Sequence, residues 1–537
     1  MIGRVHPWIW AAALCVLFTA LGVVFLPFPG AQYDEVLFVS AIYAPETVEY
    51  AMKTGFGAIP VMLITYAGTL KAAIYAPLLA WFGSSHVVLR LPMLLAAALS
   101  VGLYFLAARR LAGTKAALLT GLLLATDAIY LLTSVFDWGP VALQHLLFAG
   151  ALYAGVRYRE TPRVRWMAVM ALCAGLALWD KAIIVWLLAG FGVSALVVLR
   201  GEVMAAARNR RLALAAVLGF VIGAAPFLYY NKIHPLRTFT SSTEMDRQPA
   251  LQKIVALDRT FSGGGLFGYL VREDPEGFPQ GLQAWEKAPL WLNGKLEGPR
   301  QSIQQLVLLG AFLSLPLVWG TGYRRVWLFL ALAAVIGWLL MLVTANAGGA
   351  MHHTILLWPI PQMLAALALA EVFRRWPGRL SQAAMGVVLV AALHNGLLLN
   401  HYLAHFIACG PTWIWSDAIR PLAEEVQKME GRKVFAADWG MSQQMEFYSQ
   451  GRVELNRVGD GVVLTLGQDP NSAKHLEAAL AEESTVFLTY TEGREVFPDI
   501  RARLFGFAEE RGYTRTVLKT VHDRHGAPVY EIHEFRR

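Results

Sequence analysis

Eleven apolar stretches dominate this sequence, most of them near the about 20 residues that a helix needs to cross a bilayer. They run at about 8–28, 89–107, 116–135, 138–156, 166–180, 182–199, 212–230, 303–320, 326–344, 354–373 and 381–403. Of the 537 residues, 56% are hydrophobic and 16% charged, whereas a soluble domain carries about 25% charged residues. A disordered chain, a fibrous chain and an ordinary cytosolic enzyme are thereby excluded. The first stretch follows Arg4 like a signal peptide, but its apolar core is too long for one, so it reads as a retained helix.

The net charge of +8 sits mostly in short clusters between the apolar segments, which reads as topology charge and not as a nucleic-acid surface. With the N-terminus inside, the short inner connections hold seventeen Lys and Arg: Arg4, Arg109, Arg110, Lys115, Arg157, Arg159, Arg163, Arg165, Arg200, Arg208, Arg210, Arg211, Arg324, Arg325, Arg374, Arg375 and Arg379. The short outer ones hold four: Lys53, Lys71, Arg90 and Lys181. That asymmetry predicts a cytoplasmic N-terminus and puts both long segments, 231–302 and 404–537, outside. The three cysteines imply no disulfide framework. The absence of Asn-x-Ser/Thr favours a bacterial inner membrane.

The expected fold is mostly α: a polytopic helix bundle over residues 1–403, with a small α/β domain outside the membrane (periplasmic) over 404–537. Within the bundle, 29–88 is a first outer loop whose Thr69–Phe82 stretch suits a helix lying in the interface. Residues 231–302, with Gly263-Gly264-Gly265 and Asp274-Pro275, form a long outer loop. In the tail, Val434–Ala437 and Thr485–Tyr490 read as buried strands and Ala473–Glu483 as a helix. Tyr513–Val521 and Pro528–Phe535 read as a hairpin. Gly219 and Gly223, four apart, read as a helix-packing stripe.

The ionisable residues of the membrane region gather on the outer side. Asp34 and Glu35 follow the first span, Asp137 occupies a short turn, Asp180-Lys181 the next outer turn, and His352-His353 the turn before the tenth span. Charge at such depth is costly and marks a site. One reaction needs this set: moving a sugar from a lipid-linked phosphate to an acceptor hydroxyl. The hydroxyl must lose a proton to a base within reach, and cations must face the departing phosphate. Asp34, with Glu35 beside it, would supply the base. Lys71, Arg90, Lys181, His352 and His353 would hold donor phosphate, and Asp137 is a second outer acid. Trp138, Trp285 and Trp291 could stack on sugar rings.

Residues 29–157 resemble the GT-C class of integral-membrane glycosyltransferases, within the protein O-mannosyltransferase and aminoarabinose-transferase group. The features are Asp34-Glu35 after the first helix, Leu78-x-x-Trp81-Phe82-Gly83 closing the in-plane segment, Arg90-Leu91-Pro92 opening a helix that ends in Arg109-Arg110-Leu111, and Asp137 after the next helix. The basic element before the in-plane helix is here Lys71, without the proline pair of better-known members. The resemblance implies a polyprenyl-phosphate sugar donor, inverting transfer at the outer face by a hexosyl- or pentosyltransferase, and Asp34 as base. The acceptor would be a glycan, lipid or protein hydroxyl.

A divalent metal could sit on Asp34, Glu35 and Asp137, or zinc on His401 and His405 or on His352 and His353. No obligatory cofactor is expected. The alternative function is a lipid or glycan transporter or flippase without transferase activity. The mid-spans nearly free of charge and the lack of a repeat between the halves argue against it. A mere anchor for the outer domain would need one span, not eleven.

Overall fold

All eleven apolar stretches fold as helix, because continuous apolar backbone in lipid must satisfy its own hydrogen bonds. The computed structural model describes residues 6–55, 57–241, 249–345, 347–456 and 458–537; Arg4 lies outside the described residues. Among the described residues, five helices are long and apolar enough to cross a membrane: His86–Ala112, Arg210–Ile233, Arg324–Val343, Met351–Arg375 and Arg379–Ala408. Two more qualify if each bent pair is one span, Thr114–Thr126 with Ala128–Val135 (55°) and Ala182–Val198 with Arg200–Arg208 (98°). The other expected crossings fall on shorter or more polar helices, such as Pro7–Val23 and Ala142–Glu160.

Small residues set the helix spacing. A Cβ on Gly175 would stand 2.3 Å from the Phe220 carbonyl, and one on Gly223 would stand 2.5 Å from that of Leu172. Helices Val164–Asp180 and Arg210–Ile233 therefore pack backbone to backbone, as the Gly219/Gly223 stripe predicts. The 55° break at Asp127 is held by a polar knot. Asp127 Oδ1 accepts the Tyr130 amide at 3.0 Å, capping the second half-helix. Its Oδ2 accepts Gln304 Nε2 at 2.6 Å and Trp358 Nε1 at 2.8 Å. Lys253 Nζ in turn donates to Met341 O and Leu342 O at 3.1 Å each, closing the C-terminal end of Arg324–Val343.

The first outer loop carries a sheet that the sequence does not announce: β1 (Tyr50–Thr54), β2 (Gly57–Ile64) and β3 (Ala67–Gly68), antiparallel in that order. Pro60 inside β2 is what hides it, since proline in a run argues against a strand. The helix Leu70–Phe82 follows, as expected. The tail holds β4 (Lys433–Ala436), β5 (Glu454–Asn456), β6 (Thr485–Tyr490), β7 (Thr514–His522) and β8 (Pro528–Arg536) in the order β5-β4-β6-β8-β7. β5-β4-β6 are parallel and β6-β8-β7 antiparallel. The expected strands, helix and hairpin are all present, and the last membrane-region helix runs on to Ala408.

The C-terminal α/β unit is docked, not tethered. Gly30 N donates to Trp415 O at 2.9 Å, Gln444 Nε2 to Ala31 O at 2.6 Å and Ser40 Oγ to Glu446 Oε2 at 2.9 Å. The β7–β8 turn reaches the long outer loop, where Arg524 pairs with Glu286 at 2.9 Å and Arg272 with Asp523. A Cβ on Gly30 would meet Ser416 O at 2.0 Å, whereas one on Gly55 meets nothing. Gly30→Ala is therefore expected to lose about 1–3 kcal/mol of docking by overpacking and to speed proteolytic release of the outer domain, with Gly55→Ala unchanged. Limited proteolysis of the purified proteins checks both.

Candidate active site

Residues Tyr33–Val36 form one helical turn, capped by Gln32, whose Oε1 accepts the Asp34 amide at 2.7 Å. Consecutive helical positions point about 100° apart, so the two neighbouring acids part company. Glu35 turns into the protein and is 1% exposed. It meets Arg90 in a two-pronged pair, Nε to Oε1 at 2.7 Å and Nη2 to Oε2 at 3.0 Å. Arg90 also donates to the carbonyls of Leu26, Pro29 and Gly30 at 3.0, 2.8 and 3.1 Å. Its five donors are thus all engaged, and the structure places Arg90, expected to hold phosphate, and Glu35, expected beside the base, in an ion pair with each other. The pair is structural and ties the first outer loop to the helix His86–Ala112.

Lys71 and Asp137 make a second closed pair. Lys71 Nζ stands 2.6 Å from Asp137 Oδ2, donates to Glu35 O at 2.8 Å, and lies 4.7 Å from the Phe38 ring centre. Asp137 has a positive φ of 43°. Its Oδ1 takes the amides of Val141 and Ala142 at 3.0 and 2.9 Å, so the strained backbone is held from several sides. Lys71, expected as a phosphate ligand, is thus buried against Asp137 and the Glu35 backbone.

Asp34 and Lys181 remain. Asp34 keeps an accessible edge, and among the described residues it takes no ion pair within 4 Å. Burial raises its carboxyl above the ordinary 3.8; the Lys181 and Lys71 charges and the Trp138 indole oppose that rise. Lys181 likewise has no close ion pair among the described residues, and its Nζ donates to Gly139 O at 2.6 Å. Burial lowers its ammonium to about 8, against the raising effect of Asp34, Asp180 and Asp137. The first-loop sheet places this lysine: Ala67 bridges to Lys181, and Ala182 N donates to Tyr66 O at 2.8 Å. A Cβ on Gly139 would strike the His352 ring at 2.4 Å and Lys181 Nζ at 2.9 Å, so both converge on this turn. His353 meets His352 edge-on, and the Nδ1 atoms of both are buried without a hydrogen-bond partner among the described residues.

Aromatic rings pack around these groups. Trp138 stacks on Tyr269 at 4.4 Å and meets His352 edge-on at 4.4 Å. Burial, then the Asp34 charge, raises the phenols of Tyr269 and Tyr66, the latter to about 12. Sequence reading missed Tyr66, Tyr269 and Trp439, which packs 4.6 Å from Tyr33. One signal existed for Trp439: Asp-Trp-Gly occurs at both 137–139 and 438–440. For Tyr269, in an irregular loop, none did.

Two open concavities lie elsewhere. One of about 480 Å³ sits beside Thr47 and the starts of β4 and β6, and one of about 280 Å³ beside Phe28 and Arg524. Their cations are already paired, Lys433 with Glu482 and Arg524 with Glu286, so size does not select the site. Trp285 lines the second concavity and Trp291 is exposed, both apart from Asp34. The oxygen-ligand set does not assemble: Glu35 belongs to Arg90, and Asp137 to Lys71 and two amides. His401 Nδ1 faces Asn293 Oδ1 at 2.6 Å, and no metal-holding group of three or more His, Cys, Asp or Glu occurs among the described residues.

Residues 69–230 match the family model for dolichyl-phosphate-mannose-protein mannosyltransferases. ArnT from Cupriavidus metallidurans bound to undecaprenyl phosphate is similar in structure, with TM-score 0.62 at 13% identity over 98% of this chain and 97% of that one. The apo form of that protein gives 0.60 at 13% identity over 97% and 98%. No curated protein matches in sequence. The chain has an ArnT-like GT-C fold with a glycosyltransferase-family segment inside it, in keeping with the resemblance read from 29–157.

Removing one partner of a buried ion pair costs about 3–5 kcal/mol, because the other charge is left without compensation. Arg90→Met is expected to lose that much and to lower the Tm of the detergent-solubilised protein sharply. The double variant Glu35→Gln/Arg90→Met should recover most of it, as thermal unfolding would show.

Proposed function

We propose that this membrane protein is an inverting glycosyltransferase that moves a sugar from a polyprenyl-phosphate donor to an acceptor hydroxyl at the outer face, with Asp34 as general base. The observation that carries this is the state of the charges. Glu35–Arg90 and Lys71–Asp137 neutralise each other, which leaves one accessible carboxylate, Asp34, facing one unpaired ammonium, Lys181. A base for the hydroxyl and a cation for the phosphate are what the transfer needs in opposite positions.

Asp34 takes the proton of the acceptor hydroxyl as its oxygen attacks the anomeric carbon. The bond from that carbon to the phosphate oxygen breaks on the far side, and the electron pair leaves with the polyprenyl phosphate. Lys181 faces the phosphate, joined by His352 and His353, whose open Nδ1 atoms suit phosphate oxygens. Asp137 and Lys71 hold the Gly139 turn and the Asp34 loop in place. ArnT, which shares the fold, binds undecaprenyl phosphate, and this chain is proposed to take a carrier of that class. The acceptor is a glycan, lipid or protein hydroxyl and the transferred sugar a hexose or pentose. Of the neighbouring carboxylates, Glu35 and Asp137 are engaged with cations and amides, and the proposed step is written without a metal. The membrane is taken as a bacterial inner membrane, with the N-terminus inside and the tail in the periplasm.

Asp34→Asn should fold with unchanged Tm yet lose about 10²–10⁴-fold in turnover, the size of a general base's contribution. Retained transfer at matched expression would overturn the assignment. Only the carboxylate accepts a proton, so turnover falls as pH drops through the Asp34 pKa, and burial places that limb above 3.8. Only the ammonium holds phosphate, so turnover also falls as pH rises through about 8, the Lys181 value. Lys181→Arg, which stays charged, should remove the alkaline limb from the pH–rate profile.

A further inference from the structure

The second Asp-Trp-Gly turn has no part in the chemistry above, yet it lies against the residue that precedes Asp34. It follows β4 at the carboxyl end of the central parallel strand, where open α/β sheets bind ligands. Asp438 is buried, and its carboxylate takes the amides of Trp439 at 2.7 Å, Val496 at 2.9 Å and Phe497 at 3.4 Å, which locks the turn. Gly440, at φ +89°, lets the backbone come so close that a Cβ there would stand 3.3 Å from Tyr33 Cβ. Trp439 is only half-buried and meets Tyr33 at 4.6 Å with the rings tilted by 43°, an open angle and not a sealed stack. Asp460, also half-buried, follows Gly459, where a Cβ would stand 2.3 Å from the Ala436 carbonyl at the end of β4, and its charge bears on the Tyr33 phenol.

We infer that the outer domain supplies a carbohydrate platform, built from Trp439 and Tyr33 with Asp460 at its edge, which holds a sugar ring of the acceptor beside Asp34. A pyranose offers a C–H face to an aromatic ring, whose face is electron-rich, and hydroxyl donors to a carboxylate that only accepts. An extended peptide would instead need a free strand edge, which this turn lacks. The platform is rigid relative to the base. The helix Met441–Ser449 that leaves the turn is bonded to the first outer loop through Gln444 and Glu446, and Tyr448 Oη meets His86 Nε2 at 2.6 Å. The two Asp-Trp-Gly turns thus bracket Asp34: Trp138 beside Lys181 and the phosphate-facing histidines, Trp439 on the side of the outer domain.

The inference rests on the transferase reading and commits its acceptor to a glycan. Saturation-transfer NMR on the full-length protein in detergent, with the methyl β-glycosides of glucose, galactose and N-acetylglucosamine, tests it. At least one glycoside should receive saturation on one ring face, with about tenfold weaker binding in Trp439→Ala, the size of one aromatic contact, and recovery in Trp439→Phe. Saturation of none of the three, or equal binding by Trp439→Ala, would overturn the platform. Undecaprenyl phosphate binding, measured on the same preparations, checks the underlying reading separately. Its absence in the wild-type protein would sink the transferase and leave the sugar result standing, and its loss in both Trp439 variants would mean a folding defect and overturn the local role of Trp439.

Discussion

The Glu35–Arg90 pair is the constraint on which the rest of the site depends. Both groups are removed from water, and every donor of the guanidinium is used, two on the carboxylate and three on the carbonyls of the chain leaving the first helix. An isolated charge at this depth costs several kcal/mol, so each half of the pair requires the other. The result is a rigid anchor directly beneath Asp34. A flexible loop would let that carboxylate swing out to water, where its pKa and its aim would both be lost.

Charge balance then leaves few groups of the site uncommitted. Three cations and four carboxylates crowd the same outer turns. Two pairs close on themselves, and what remains is the buried Asp180 and, opposite a buried ammonium, a carboxylate with an open edge, Asp34. This explains how a site so rich in charge can fold at all in a protein whose charged fraction is low.

Much of the fold was legible in one dimension. Apolar length marks a helix wherever it falls, and the tail's strands and hairpin follow from alternation and turn residues. The first-loop sheet was not legible, because Pro60 interrupts its longest strand. Asp127 escaped notice for a different reason. Its cost inside the bundle is cancelled by Gln304, Trp358 and the Tyr130 amide, two of which come from far along the chain. In the site, Asp34, Asp137 and Lys181 stood out as ionisable residues at membrane depth, whereas Tyr66, Tyr269 and Trp439 carried no such mark.

By itself the sequence determined that the chain enters a bilayer repeatedly, that its costly charges gather at the ends of particular helices, and that an α/β unit follows. Hydrophobic burial and strand alternation are properties of neighbouring residues, so spacing reveals them. Only the tertiary structure decided which of two adjacent acids stays free and which of three similar cations stays unpaired. Ion pairing in a low-dielectric crevice depends on distances between residues dozens of positions apart, and a difference of an ångström or two there separates a neutralised partner from a reactive one.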